Sequence, residues 1–234
     1  MARLLITGVN RGIGEGLLRQ YLESGHEVCA IGRFAPQWAD SHGPRFVFHE
    51  CDLSDFDALE QISDQIDQPL DTLICSAADF GGDAFHLDHF SPNALARAFA
   101  VNCIAPAILT RAMKPNLENG TRRHIVFMTT GNASLSGNTE GAMLAYRTTK
   151  SALNQLMRNV AAEWAGSGFA TVALNPGWVR TDMGGEQAPM SVQQAAHEIY
   201  DFCETRLSGE LTGRFCNTDG SEIPWCQTKS TDSA

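Results

Sequence analysis

The chain has 234 residues, 43% of them hydrophobic and 19% charged, with a formal net charge of −10. That length and balance suit one globular α/β domain with a single core, and the acidic charge argues against nucleic acid or an anionic membrane as partner. No uninterrupted apolar run approaches the ~20 residues of a membrane span, and residues 1–6 run straight into a strand-like segment without a signal-peptide design.

Seven cysteines, Cys29, Cys51, Cys75, Cys103, Cys203, Cys216 and Cys226, are scattered, odd in number and never spaced as CxxC. They read as reduced thiols of a cytoplasmic protein with no zinc site. His86 and His89, on a loop flanked by glycine, read as surface residues and not as metal ligands, so no metal is expected.

Residues 3–6 are a short apolar run ended by Thr7-Gly8, which reads as a buried strand. The stretch Thr7-Gly8-Val9-Asn10-Arg11-Gly12-Ile13-Gly14 follows, and then Leu17, Leu18, Tyr21 and Leu22 recur at helical spacing until Gly25. Strand, glycine turn and helix are the context that a phosphate-binding fingerprint needs. Gly8 permits the tight turn, Gly12 lets the backbone approach a pyrophosphate, and Gly14 allows close packing of helix on strand. The phosphates then lie at the helix N-terminus, where free N–H groups and the dipole favour an anion.

Residues 27–31 read as a second strand ending at Gly32-Arg33. A carboxylate at this strand end binds a ribose 2′-hydroxyl in NAD sites, whereas an arginine receives a 2′-phosphate. Arg33 stands there, with Arg11 in the glycine loop as a second cation. Guanidinium groups suit a dianionic phosphate, so NADP(H) is favoured over NAD(H). Residues 45–51 read as a third strand, followed by Asp52-Leu53 as an adenine-edge contact and helix cap. A helix near 55–67 carries Leu59, Ile62 and Ile66 on one face, and a fourth strand over 72–75 leads into Ser76-Ala77-Ala78. The spacing predicts one helix over 92–113 with Asn102 in its interior, then a fifth strand over 124–128 followed by Thr129-Thr130-Gly131.

In Ala145-Tyr146-Arg147-Thr148-Thr149-Lys150, helical spacing puts Tyr146 and Lys150 on one face. A phenol ordinarily ionises near ~10, too high for a good acid/base at neutral pH. An ammonium about 4 Å away favours the phenolate by roughly 4 kcal/mol at an effective dielectric of ~20. After desolvation, a lowering of about one or two pKa units is expected. The helix runs to about 164, with Ala152, Leu153, Leu156, Met157 and Val160 as its packing face. Residues 169–174 form a sixth strand, and Asn175-Pro176-Gly177 turns the chain. The Gly- and Met-rich stretch from 182 reads as a long loop or mobile lid, with a helix from about 192 and a last strand over 213–217. The polar tail 227–234 is expected to fray.

Strands alternate with helices throughout, which implies a parallel sheet covered on both faces. The expected fold is α/β: a single Rossmann-type doubly wound parallel sheet of about seven strands, one domain over residues 1–226. Ligands in such sheets bind at the carboxyl ends of the strands. The polar stretches named above all fall there.

In their order and separations, residues 7–14, Asp52-Leu53, Asn102, Tyr146-x-x-x-Lys150 and Pro176-Gly177 resemble the short-chain dehydrogenase/reductase family, from residue 1 to about 226. Residues 137–141, the stretch 176–185 and the closing 219–225 are similar to the sniffer-type carbonyl reductases and C-factor-like proteins within it. The resemblance implies an NADPH-dependent oxidoreductase of carbonyl reductase or alcohol dehydrogenase type, acting on a small or medium carbonyl compound. It implies Tyr146 as proton donor, Lys150 as the group that depresses the phenol pKa and holds the nicotinamide ribose, and Asn102 as anchor of a water-linked relay. Gly8, Asn10, Arg11, Gly12, Ile13, Arg33, Asp52, Leu53, Ser76, Ala77, Ala78, Pro176, Gly177, Val179 and Thr181 fall at cofactor-binding positions, together with Tyr146 and Lys150. Two departures stand out. The turn after strand four, commonly Asn-Asn-Ala-Gly, is Cys75-Ser76-Ala77-Ala78, and the usual catalytic serine after strand five is replaced by Thr130, with Ser134 as the competing candidate. Family members commonly assemble as dimers or tetramers through the helices at 92–113 and 146–164. The alternative function is a cofactor-binding regulatory protein of C-factor type with weak reductase activity.

Overall fold

The structure, a computed structural model, describes residues 1–225, with Asp40 described for its backbone alone. The expectations for Cys226 and the tail 227–234 lie outside the described residues. Seven strands form one parallel sheet: β1 Arg3–Thr7, β2 Glu27–Gly32, β3 Phe46–Glu50, β4 Thr72–Cys75, β5 His124–Met128, β6 Ala170–Asn175 and β7 Phe215–Asn217. Their order is β3-β2-β1-β4-β5-β6-β7, and every neighbouring pair is parallel. The order reverses between β1 and β4, the switch point at which open α/β sheets leave a crevice for ligands.

Successive strand residues go to opposite faces and both faces of the central strands are buried, which is why those strands are largely apolar, while edge strand β3 is only half-buried and carries His49 and Glu50. Leu4, Ile6, Val28 and Ala30 pack under α1 (Gly12–Glu23) and α7 (Val192–Asp201), with Leu17, Leu18 and Ile199. Leu5, Ile31, Leu73 and Phe127 pack on the other face, against α2 (Phe56–Gln65), α4 (Ala105–Ala112) and α6 (Leu144–Glu163), with Leu59, Leu109, Leu153 and Met157. Ser191 starts α7 with a reciprocal capping box to Gln194. Asp55, not Asp52, caps α2 by accepting from the Ala58 amide, because Asp52 is taken up by Ser54.

The helix expected over 92–113 forms as a continuous run over Pro92–Ala112 with an irregular middle. It consists of α3 (Pro92–Phe99), a π turn over Ala100–Ile104, and α4; a short α5 (Lys114–Asn119) follows. The run Pro92–Ala112 is long and apolar enough by composition to cross a membrane, but here its parts pack on α2 and α6 inside the fold. Turns of 3-10 helix within Gln37–Arg45 cover the β2–β3 side of the sheet, an element absent from the sequence pattern.

A polar cluster closes the amino ends of the strands. His26 Nδ1 accepts from the Ala2 amide at 3.1 Å, its Nε2 meets Tyr200 Oη at 3.3 Å, and Arg122 pairs with Glu204 at 2.6 Å. Burial holds His26, His49 and His124 below an ordinary imidazole, His124 at about 4. The unfolded chain, with histidines near ~6.5, takes up protons that the fold refuses, so acid favours unfolding. Stability is therefore expected to be full above about pH 6.5 and to fall as the pH drops toward about 4, read as a declining urea midpoint. A midpoint that stays level across that window would show that these histidines do not govern acid unfolding.

Candidate active site

A cavity of about 400 Å³ opens at the carboxyl ends of the strands, across the β1–β4 switch point. Gly8, Asn10, Arg11, Gly12 and Ile13 line one side, and Arg33, Asp52 and Leu53 line the far end. Ser76, Ala77 and Ala78 form the floor, and Tyr146, Lys150, Pro176 and Thr181 close the near end. Asn102, Thr130, Gly177 and Val179 are not on its wall.

The glycine loop is shaped by close approach. A Cβ on Gly8, at φ +75°, would stand 2.6 Å from Ala77 Cα, and one on Gly14 would stand 2.2 Å from Gly8 O. Gly12, at φ +59°, faces Thr181 across the opening, where a Cβ would come within 3.3 Å of its methyl. Thr7 Oγ1 accepts from the Ser76 and Ala77 amides at 3.1 and 3.2 Å and so joins β1 to the altered turn after β4. The N-terminus of α1 opens onto this cradle, and Arg11 at its N-cap is extended and makes no side-chain capping bond. A bare helix N-terminus in a cradle that any Cβ would fill fits the phosphates of a dinucleotide.

Arg11 Nη1 pairs with Asp182 Oδ2 at 2.6 Å across the opening. Both side chains are exposed, so the pair is worth only about 0–1 kcal/mol and does not withhold Arg11 from a stronger anion. The stretch expected as a mobile lid is knitted to itself. Trp178 Nε1 donates to Gly184 O at 2.8 Å, Arg180 Nη1 donates to Ala188 O and Pro189 O, and Val179 bridges Met190. Val179 is buried and does not line the cavity.

At the near end, Lys150 is 2% exposed and its Nζ donates to Met128 O at 2.8 Å. Burial pulls its ammonium down to about 8, opposed by the Cys75 and Cys103 thiols. Tyr146 moves in the direction opposite to expectation. Burial pushes its phenol up to about 12, countered only by the hydroxyl of Thr130, its hydrogen-bond partner. The reason is geometric: Lys150 Nζ is turned to a carbonyl and lies 6.0 Å from the Tyr146 ring centre, so desolvation outweighs attraction. Thr130 Oγ1 also accepts from the Asn132 amide at 3.2 Å. Ser134, the competitor, donates its hydroxyl to Pro224 O at 2.8 Å and is engaged with the C-terminal segment.

Asn102 is fully buried in the π turn. Its Nδ2 donates to Asp79 O at 2.7 Å and to Thr149 Oγ1 at 2.9 Å, and its Oδ1 accepts from the Asp79 amide at 2.7 Å. The side chain is thus a clamp. Its carbonyl would bond the amide of residue 106 in an α-helix, but Pro106 has no N–H. Asp79 leads to Phe80, whose ring centre lies 5.2 Å from that of Tyr146 and 5.9 Å from that of Phe85.

Arg97, Asp79, Thr129, Asp182 and Met183 line the cavity without having been singled out in the sequence. Thr129 Oγ1 is buried and has no hydrogen-bond partner among the described residues, and Thr129 lines the cavity. Met183 had a cue in the Met-rich stretch; Arg97 is paired with residues 45 and 18 positions away, which no local pattern reveals. Asp52 is more engaged than an adenine-edge contact requires. Burial opposes its charge, but bonds from Ser54 and Arg97 hold its carboxyl at about 2. Among the described residues no group of three His, Cys, Asp or Glu could hold a metal, and His86 and His89 are exposed partners in an isolated bridge.

A dinucleotide cradle at the switch point and a Tyr–Lys helix at its near end define a nucleotide-dependent oxidoreductase of Rossmann type. The chain belongs to the short chain dehydrogenase family, which it matches over residues 2–191. It is 36% identical over 162 residues to the C-signal of Myxococcus xanthus, covering 67% of this chain and 93% of that protein. Among solved structures it is similar to the carbonyl reductase Sniffer of D. melanogaster, with a TM-score of 0.85 and 29% identity, covering 96% of this chain and 100% of that one. A carbonyl reductase from Pseudomonas aeruginosa PAO1 in complex with NADP gives a TM-score of 0.82 at 30% identity, with 96% and 100% coverage.

Proposed function

We propose that this chain is an NADPH-dependent carbonyl reductase, or the reverse alcohol dehydrogenase, acting on a small or medium apolar carbonyl compound. The observation that carries the reading is Tyr146 with Lys150 on the wall of the same cavity as the glycine cradle. NADPH, when bound, supplies the hydride. Tyr146, protonated at neutral pH by its raised pKa, gives its proton to the substrate oxygen. Thr130, rather than Ser134, bonds the phenol oxygen and steadies the oxyanion. The Lys150 ammonium offsets the phenolate left behind, and a water anchored on the Asn102 carbonyl, which Pro106 leaves without its α-helical donor, would supply the returning proton. Phe80, Phe85 and Met183 make the approach apolar.

NADP(H) is favoured over NAD(H) by Arg33 and Arg11 on the cavity wall, and the P. aeruginosa neighbour is a complex with NADP. A regulatory role with weak reductase activity is the second reading, favoured by the likeness to the C-signal. A cytoplasmic location and assembly through α3–α4 and α6 belong to the same proposal; the six described cysteines are all free, and Ile104 is 41% exposed on the first of these helical faces.

Three measurements test these readings. Tyr146→Phe is expected to lower NADPH-dependent turnover of an aldehyde and ketone panel by ~100-fold or more while NADPH still binds. Unchanged turnover sinks the catalytic assignment, and a wild-type chain that binds NADPH but turns over none of the panel favours the regulatory reading. Arg33→Asp is expected to weaken NADPH roughly 10- to 100-fold with little effect on NADH; equal effects on both cofactors would refute the phosphate clamp. Sedimentation velocity is expected to return a dimer or tetramer, and a monomer at assay concentration removes the assembly proposal.

A further inference from the structure

Arg97 belongs to neither the glycine loop nor the Tyr146 helix, yet it lines the cavity from the last turn of α3 with 42% of its side chain exposed. Its Nη2 meets Asp52 Oδ2 at 3.1 Å, its Nε meets Asp79 Oδ2 at 3.2 Å, and its Nη1 donates to Ser54 Oγ at 3.1 Å. Each of the three guanidinium nitrogens therefore already has an acceptor. The N–H bonds of a guanidinium lie in its plane. With that edge occupied, the group has a flat face left to offer.

Charge says what the face is for. One guanidinium stands between two carboxylates, so the cluster is net negative and unsuited to recruit a phosphate. The neighbours say the same. Leu53 follows Asp52 in the chain, Val101 lies one helical turn beyond Arg97, and both line the cavity. A planar cation that shares a cavity wall with two aliphatic side chains suits a flat, electron-rich ring.

We propose that Arg97 is the stacking platform for the purine base of the dinucleotide, with Asp52, Asp79 and Ser54 holding its plane in place. The proposal rests on the cofactor reading above and adds to it a residue for the base. Asp52 then serves the base indirectly, by orienting Arg97.

The test is calorimetric and uses fragments of the adenine half: adenosine 2′,5′-bisphosphate and ribose 2,5-bisphosphate, which lacks the base. Arg97→Ala is expected to weaken adenosine bisphosphate roughly tenfold and to leave the base-free sugar unchanged. Arg97→Lys keeps a cation between Asp52 and Asp79 but has no plane, and is expected to lose as much. The proposal fails if either variant binds adenosine bisphosphate as tightly as the wild type, or if both ligands weaken together, which marks a change of loop geometry or charge. If the wild type binds NADPH and only the variant results disappoint, the cofactor reading survives; if it binds neither NADPH nor adenosine bisphosphate, that reading falls as well.

Discussion

Asn102 sits where water cannot reach it, and the fold answers with three hydrogen bonds to two other elements. Leaving such an amide unsatisfied costs about 1–3 kcal/mol for each lost partner, so the bonds hold their surroundings to one arrangement. Both backbone groups of Asp79 are fixed, and with them the turn that presents Phe80 to Tyr146. Thr149 is fixed on α6, one residue before Lys150 and three after Tyr146. The turn is then fastened to the start of α6 by the Leu144 and Ala145 amides, which donate to Phe85 O and Ala84 O. The two ends of the Tyr–Lys helix turn are therefore positioned by a residue that touches neither.

The same burial sets the acid/base character of the site. A phenol driven up and an ammonium driven down are both pushed toward their neutral forms, as low-dielectric surroundings require. Thr130 is the group that works against this at the phenol, because a hydroxyl can lend its hydrogen to a developing phenolate and withdraw it without moving charge. Serine has the same capacity at that position; threonine differs from it by a methyl group. Ser134 lacks the opportunity, since its hydroxyl is spent on the backbone at Pro224.

The sheet, its seven strands and the cradle were legible because they rest on local patterns: apolar runs of fixed length, glycines at close approaches, and helical spacing in α1 and α6. Three features were not. The π turn at Ala100–Ile104 looks helical in its residues; Pro106 withholds one ladder donor there, but nothing local says that buried Asn102 clamps Asp79 and Thr149 on other elements. The direction of the Tyr146 shift depends on where Lys150 Nζ points, and a spacing of four residues does not contain that angle. The Arg97 cluster joins α3 to the ends of β3 and β4, so it exists only once the sheet has brought distant residues together. Local chemistry is written in the sequence, whereas the pairing of long side chains across elements is written in the packing.

The exposed bridge from Arg11 to Asp182 gives ionic strength a hold on this cavity that acts in two directions. Dissolved salt screens surface charges over roughly 8–10 Å, which loosens the link between the glycine loop and the strap. The same ions weaken the pull of Arg11 on an incoming phosphate. One effect releases the guanidinium and the other lessens its value once released. Because the bridge itself is worth little, the second effect outweighs the first, and the grip of the site's mouth on an anion loosens as salt rises.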